Sequence, residues 1–300
     1  MQIKIENIKK LRLAEGLTQE DAAERLKISV RNYSRIESGK VKTSIWKFKE
    51  YMEKFGKNSD GWMLFLDTDE FEDYRLYKRL RRLDSNREFD EIRELLKRNE
   101  GWLEHKSLMF RQFCKHLSIK LDKEIPDGQA ASELFGLMKM TRKKFDESAI
   151  ADYRLNLVET GILTSAASRV FRMGEHGRAI NIVKAMIESR GGRHATERDK
   201  AKFLPVLYSN LSTMLGNAGR HKESLDASTY GTDLCKEYGC LKWIPTLLYN
   251  SACSLFMIGE QEAIYKPYLV RAYYSALAFG RPDLAAITKE DAEKDFGILL

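Results

Sequence analysis

The 300-residue chain is poor in proline and has no long apolar run. Its five prolines leave long stretches free for helices, because proline removes a backbone donor and clashes with the preceding turn. No run of eighteen apolar residues exists, so we expect no membrane span. The opening MQIKIENIKK lacks the apolar core of a secretory signal. These absences favour a soluble, mostly helical protein of the cytoplasm.

Cysteine and the known catalytic motifs are equally sparse. The four cysteines form no CxxC pair and have no histidine neighbours at zinc spacing, so we expect reduced thiols and no metal. The sequence contains no HExxH, no GxSxG and no phosphate loop, and its five histidines are scattered. We therefore predict no catalytic residues and no cofactor.

Positive charge is concentrated at the beginning of the chain. The net charge is +7, and residues 1–60 contain fourteen Lys and Arg against nine Asp and Glu, an excess of five. A small basic segment joined to a nearly neutral larger one indicates an anionic partner for the first segment. A solvated helix face is the alternative, and charge alone does not separate the two.

Residues 18–40 have the pattern of two short helices joined by a tight turn. Thr18 is a candidate N-cap with Asp21 three residues later, Ser29 can cap the next helix, and Gly39 suits the position after its end. Two helices joined by three residues at a steep angle form a helix-turn-helix. The second helix of such a unit fits the major groove of DNA.

The outward positions of this unit are our candidates for DNA contacts. Arginine can bind guanine through two hydrogen bonds, and valine can contact the methyl group of thymine. Polar and basic side chains at the helix ends suit phosphates, which position a protein on DNA. The predicted DNA-binding residues are Gln19, Ser29, Val30, Arg31, Ser34, Arg35, Lys40 and Lys42.

This segment resembles the repressor-like, Xre-type helix-turn-helix family. The matching residues are LR at 11–12, GLTQ at 16–19, Ala23 and SRIESGK at 34–40. The resemblance implies a five-helix domain over roughly residues 3–57. A helical bundle that does not bind DNA is the alternative.

The same resemblance gives two structural expectations. It implies that Arg12 pairs with Glu37 and so locks the first helix of the domain to the third. Lys27 stands where the family usually has glycine, which requires a left-handed or adjusted backbone at the turn.

The rest of the chain shows a repeated helical pattern after a polar break at 54–61. Three segments align on Gly174, Gly219 and Gly259, and each has an apolar helix before the glycine and another helix after it. Small residues recur seven positions before the glycine. Helical hairpins of this kind bury their apolar faces by stacking on one another.

These segments resemble degenerate tetratricopeptide repeats over about 155–280, and more weakly over 70–150. The resemblance implies an all-α right-handed superhelix with a groove lined by the first helix of each hairpin. Polar side chains recur on those helices at fixed distances from the glycine. An asparagine amide carries donors and an acceptor, so it can bind the backbone of an extended peptide.

The predicted peptide-binding residues are Ser165, Asn210, Asn250, Thr213, Tyr249 and Arg172. The alternative for each of them is a side chain that faces solvent or bonds between repeats.

The complete layout resembles the peptide-pheromone regulators of the Rgg/PlcR type. We therefore predict a DNA-binding domain over 1–60, a linker over 61–72 and a repeat domain over 73–300. The resemblance implies a cytoplasmic homodimer that binds a two-fold symmetric operator and responds to a short imported peptide. The alternatives are a regulator whose repeat domain binds a partner protein, and a scaffold whose first domain binds protein.

Overall fold

The computed structural model of the chain is divided into two compact units, Met1–Asp122 and Lys123–Leu300. The structure describes residues 8–9, 12–13, 15–41, 45–54, 68–98, 106, 108–192, 195 and 197–300. All regular elements in these ranges are helices, which confirms the all-α fold class. None of the helices in the described ranges has the length and apolar character needed to cross a membrane.

The first unit contains six helices with defined bounds, and residues 8–9 and 12–13 are also helical. Helix α1 contacts both α2 and α3, and α3, α4 and α5 each pack against the next helix along the chain. The six helices are α1 (Gln19–Leu26), α2 (Val30–Glu37), α3 (Ile45–Lys54), α4 (Thr68–Asn86), α5 (Phe89–Arg98) and α6 (Leu108–Leu121). The predicted boundary near residue 60 lies outside the described residues, whereas α4 begins within the segment assigned to the linker.

The turn between α1 and α2 follows the local chemistry of the sequence. Thr18 caps α1, and its hydroxyl and backbone amide exchange hydrogen bonds with Asp21, a complete capping box. Lys27 takes the expected left-handed conformation, with φ 54° and ψ 47°. Ser29 accepts a hydrogen bond from the Asn32 amide and so caps α2. The chain leaves α2 through Gly39, whose φ of 79° suits a residue without a Cβ atom.

The second unit is a series of antiparallel helical hairpins. Its first long helices are α7 (Asp127–Thr141), α8 (Leu157–Arg172) and α9 (His176–Gly191), with a 3₁₀ helix at Glu147–Asp152 between α7 and α8. They are followed by α10 (Glu197–Asn217), α11 (His221–Tyr238), α12 (Ile244–Met257), α13 (Glu262–Ala278) and α14 (Pro282–Phe296). Consecutive helices pack against each other, and α12 also contacts both α10 and α14.

The three aligned glycines close the hairpins as predicted. Gly174, Gly219 and Gly259 have φ of 84°, 76° and 85°, in the left-handed region. The amide after each glycine bonds a carbonyl of the preceding helix five residues earlier, which ends that helix. The small residues of the aligned register, Ala167, Ser212 and Ala252, are completely buried. The tetratricopeptide-like packing expected from their spacing is therefore present.

Candidate DNA-binding and ligand-binding surfaces

Helix α2 exposes one face and buries the other. Tyr33 and Ile36 are buried in the core of the first unit, whereas Arg31 and Arg35 are exposed and Val30 is 39 % exposed. Positions 30, 31, 34 and 35 share a helical face because residues four apart lie one turn above each other. We call this set the recognition face. Its two guanidinium groups have the donors that read guanine in a major groove.

An ion pair holds the buried side of α2, opposite the recognition face. The Nε atom of Arg12 donates to Oε1 of Glu37 over 2.9 Å, and both side chains are nearly buried. Arg12 also donates to the Leu17 carbonyl over 2.7 Å. The expected pairing of the first helical segment with the recognition helix is thereby confirmed. The Gln19 amide donates to the second oxygen of Glu37, so this predicted phosphate contact has a structural partner.

The other predicted DNA contacts lie around the recognition face. Ser29, the N-cap residue of α2, is exposed. Ser34 is half-buried, and Lys40 is exposed three residues after the end of the helix. Lys42 lies outside the described residues. The geometry therefore brings together Val30, Arg31, Ser34 and Arg35, with Ser29 and Lys40 at the two ends of the helix.

The first helices of the hairpins, α8, α10 and α12, also expose one face each. Relative to the closing glycine, this face contains the residues six and two positions earlier. We call the combined surface the repeat face. Its members six positions before the glycine are Ser168, Thr213 and Cys253, and those two positions before it are Arg172, Asn217 and Met257.

Asn250 does not follow the predicted pattern of a ligand-binding amide. It is 9 % exposed, and its Nδ2 donates to Ser212 Oγ over 2.7 Å and to Thr213 Oγ1 over 2.9 Å. Both hydrogens of the amide therefore join α12 to α10. Packing brings a hydroxyl pair opposite Asn250 and, among the described residues, none opposite Asn210, which agrees with the alternative of bonding between repeats, and peptide contact by Asn250 stays a prediction.

Asn210 and Ser165 remain accessible. Both side chains are half-buried, and Asn210 makes no side-chain hydrogen bond to any residue in the described part of the chain. Thr213 is exposed although its hydroxyl donates to the Ser209 carbonyl over 3.0 Å. These three residues stay predictions for ligand contact.

Tyr249 and Arg172 have carboxylate partners within the protein. The Tyr249 hydroxyl donates to Asp291 Oδ2 on α14 over 2.6 Å. Burial, together with this bond, raises the pKa of Tyr249. Arg172 bonds both oxygens of Asp127, with Nε 3.0 Å from Oδ2 and Nη2 2.8 Å from Oδ1. Each group is thus held in place on the repeat face while it remains only partly covered.

A buried hydroxyl network between the helices was not predicted. Ser224 on α11 donates to the Ser212 carbonyl over 2.8 Å and accepts from Ser254 Oγ over 2.9 Å. The buried Oγ atoms of Ser228 on α11 and Ser251 on α12 are hydrogen-bonded over 2.7 Å. The signal was available, since small hydroxyl residues recur in apolar helices where close helix packing is expected.

Comparison with known proteins agrees with this architecture. Residues 8–62 match the family described as Helix-turn-helix. No curated protein matches the sequence. The structure of PlcR from Bacillus thuringiensis in complex with the peptide PapR7 and DNA is similar, with TM-score 0.65 and 18 % identity over 96 % of this chain and 99 % of that one.

Two streptococcal structures are also similar over their full lengths. ComR from S. thermophilus, in complex with DNA and its signalling peptide ComS, gives TM-score 0.55 and 14 % identity over 97 % of this chain and 98 % of that one. A single-residue variant of the SHP pheromone receptor Rgg2 from Streptococcus dysgalactiae gives TM-score 0.54 and 14 % identity over 98 % and 99 %. The chain therefore contains a helix-turn-helix domain and shares the fold of PlcR, ComR and Rgg2.

Proposed function

We propose that this protein is a sequence-specific DNA-binding transcriptional regulator whose second unit binds a short peptide. Peptide binding changes the affinity for DNA by favouring one of two arrangements of the protein. The observation that carries the DNA-binding half is the recognition face, where Arg31 and Arg35 are exposed on a helix locked from behind by Glu37. Nothing in the proposal requires a catalytic group.

The peptide-binding half is supported by the polar repeat face. Asn210 offers an amide that bonds no other side chain or carbonyl among the described residues, and exposed Thr213 and Met257 provide polar and apolar contacts on neighbouring helices. The likeness to PlcR and ComR supports the same assignment, since both were solved with a peptide and DNA. The peptide is imported into the cytoplasm, where the regulator acts.

Homodimerisation on a two-fold symmetric operator is part of the proposal. Helix α13 exposes large apolar side chains, with Ile264 at 47 %, Tyr274 at 61 % and Leu277 at 46 %. A second copy of the chain would cover such a surface. Light scattering of the full chain, compared with the Tyr274→Glu variant, tests this part separately from DNA binding.

The DNA-binding proposal is tested by selecting genomic fragments with the full chain. The enriched sequence is then titrated at several salt concentrations against wild type, Arg31→Ala and Arg35→Ala. Loss of one bidentate base contact costs about 1–3 kcal/mol, so we expect affinity losses of roughly 5- to 150-fold. Arg220→Ala is the matched control, because Arg220 is an exposed arginine of the second unit that belongs neither to the recognition face nor to α13.

Two outcomes would contradict the DNA-binding half: enrichment of no fragment, or equal binding by the arginine variants and wild type. The scaffold alternative would then be favoured. Peptide binding is tested by affinity selection from a library of octapeptides with free ends, using the full chain. Recovery of no peptide would favour a partner protein as the occupant of the repeat face.

A further inference from the structure

The repeat face has opposite charges at its two ends. Arg172 lies at the end of α8, the first of the aligned helices, and is exposed. Asp291 and Asp295 lie on α14, which contacts α12 at the other end of the series. Helix α14 also ends at a glycine in the left-handed region, Gly297, with φ 66°. The two aspartates lie six and two positions before this glycine, as Cys253 and Met257 do before Gly259.

The end of the repeat face at α8 presents a partly exposed guanidinium group, that of Arg172. Asp127 is bonded by Arg172 and also by Arg169, whose Nη1 lies 2.9 Å from Oδ1. These bonds, first those of Arg172 and then those of Arg169, lower the pKa of Asp127 to about 2. Two guanidinium groups thus bind the same carboxylate, and that of Arg172 is the more exposed of the two. The partly exposed guanidinium group of Arg172 can donate hydrogen bonds to a second carboxylate.

The α14 end is acidic. Asp291 is half-buried and accepts the Tyr249 hydroxyl, and Asp295 is exposed one helical turn later. Burial raises the pKa of Cys253 to about 11, and the two aspartates add to the shift, which places their charges beside the third helix of the face. Leu284 and Ile287 continue this side of α14 without charge, and the exposed Lys294, three residues after Asp291, flanks it, so its excess of negative charge is one.

The positions between these ends are uncharged. On α10 and α12 the register positions are held by Thr213 and Asn217, and then by Cys253 and Met257. A ligand that spans the face therefore meets a positive group first, neutral polar and apolar groups next, and negative groups last. Fixed charges of this kind determine orientation and register more than affinity.

We propose that a bound peptide lies across the repeat face with its C-terminal carboxylate at Arg172 and its N-terminal ammonium at Asp291 and Asp295. This inference rests on the proposed peptide-binding function. Both ends of an unmodified peptide are then paired with opposite charges, whereas the reversed peptide would place like charges together at both ends.

The test uses an octapeptide recovered from the free-ended library with the full-length protein. It is synthesised again with an amidated C-terminus, and separately with an acetylated N-terminus. We expect each modification to weaken binding to wild type about two- to five-fold, as for a partly exposed ion pair. Arg172→Gln should abolish only the effect of amidation, and Asp295→Asn only the effect of acetylation.

Matched controls are Arg271→Gln and Glu293→Gln, which remove exposed charges away from the repeat face and should leave both effects intact. Asp127 keeps Arg169 as a partner in Arg172→Gln, so that variant retains its local structure. If a peptide binds but its end groups have no effect, or their effects survive both substitutions, the proposed orientation is wrong and peptide binding stands. If no peptide binds, the proposed function fails and this inference with it.

Discussion

Asn250 and Thr213 connect two neighbouring first helices, with Nδ2 of the amide 2.9 Å from Oγ1 of the hydroxyl. The same nitrogen lies 2.7 Å from Ser212 Oγ, so one side chain on α12 bonds two consecutive residues of α10. The amide is nearly buried, and loss of a buried polar partner is costly because the remaining groups stay unsatisfied. The polar pair thus contributes to the register between hairpins.

We therefore predict that Asn250→Ala lowers the free energy of unfolding by about 1–3 kcal/mol. Urea denaturation followed by far-UV circular dichroism measures the change. Asn210→Ala is the control, because that half-exposed amide makes no hydrogen bond within the described part of the chain and should change stability by less than about 0.5 kcal/mol. Equal losses in the two variants would contradict this assignment.

The Arg12–Glu37 pair gives a second prediction, for the first unit. Arg12→Met leaves the nearly buried Glu37 carboxylate without its cation, at a cost of about 3–5 kcal/mol. Thermal unfolding should show the loss, and DNA affinity should fall at temperatures where the first unit is then unfolded.

The control for the pair is the double variant Arg12→Met with Glu37→Met. Replacing both members of a buried ion pair by apolar residues of similar size is often neutral. The double variant should therefore be more stable than Arg12→Met alone. A double variant less stable than the single one would mean that Glu37 is stabilised by other groups, such as Gln19.

The contrast between these two sites explains how much could be predicted from the sequence. The capping box at Thr18 and the hairpin glycines depend on residues close in the chain, and they were found. Arg12 and Glu37 were paired through a family resemblance. Asn210 and Asn250 have the same register, and only the helix packing determines that the second faces the hydroxyls of the previous hairpin.

A third prediction concerns close helix packing at Gly231. A Cβ atom there would lie 2.7 Å from Leu247 Cδ2 and 3.0 Å from Tyr208 Cβ. Gly231→Ala should therefore destabilise the second unit by about 1–3 kcal/mol, the usual cost of overpacking. Gly177→Ala is the matched control, since a Cβ atom in that helical position meets nothing within 4 Å and should be stabilising by about 0.4–1 kcal/mol. Chemical denaturation of the two variants measures their free energies of unfolding. An unchanged free energy in Gly231→Ala would mean that α11 and α12 can move apart at little cost.

The last prediction is a pH dependence in the first unit. His116 on α6 is buried, and burial lowers its pKa from 6.5 to about 4, with nearby Lys120 acting in the same direction. The unfolded chain binds a proton near pH 6.5, whereas the folded protein does not until about pH 4. Stability is therefore complete above pH 6.5 and falls as the pH decreases through this window, by up to about 3 kcal/mol.

Tryptophan fluorescence can follow this unit, because Trp46, Trp62 and Trp102 belong to its part of the sequence and only Trp243 belongs to the second. His116→Phe should make the unfolding free energy nearly constant between pH 6.5 and 4, whatever its absolute value. Asp127 makes the unfolding free energy depend on pH only below about pH 3.8, its ordinary pKa. Its pKa in the folded protein is about 2, so the stabilisation by its charge is lost as the pH falls from 3.8 towards 2. A slope between pH 6.5 and 4 that survives His116→Phe would show that another group accounts for it.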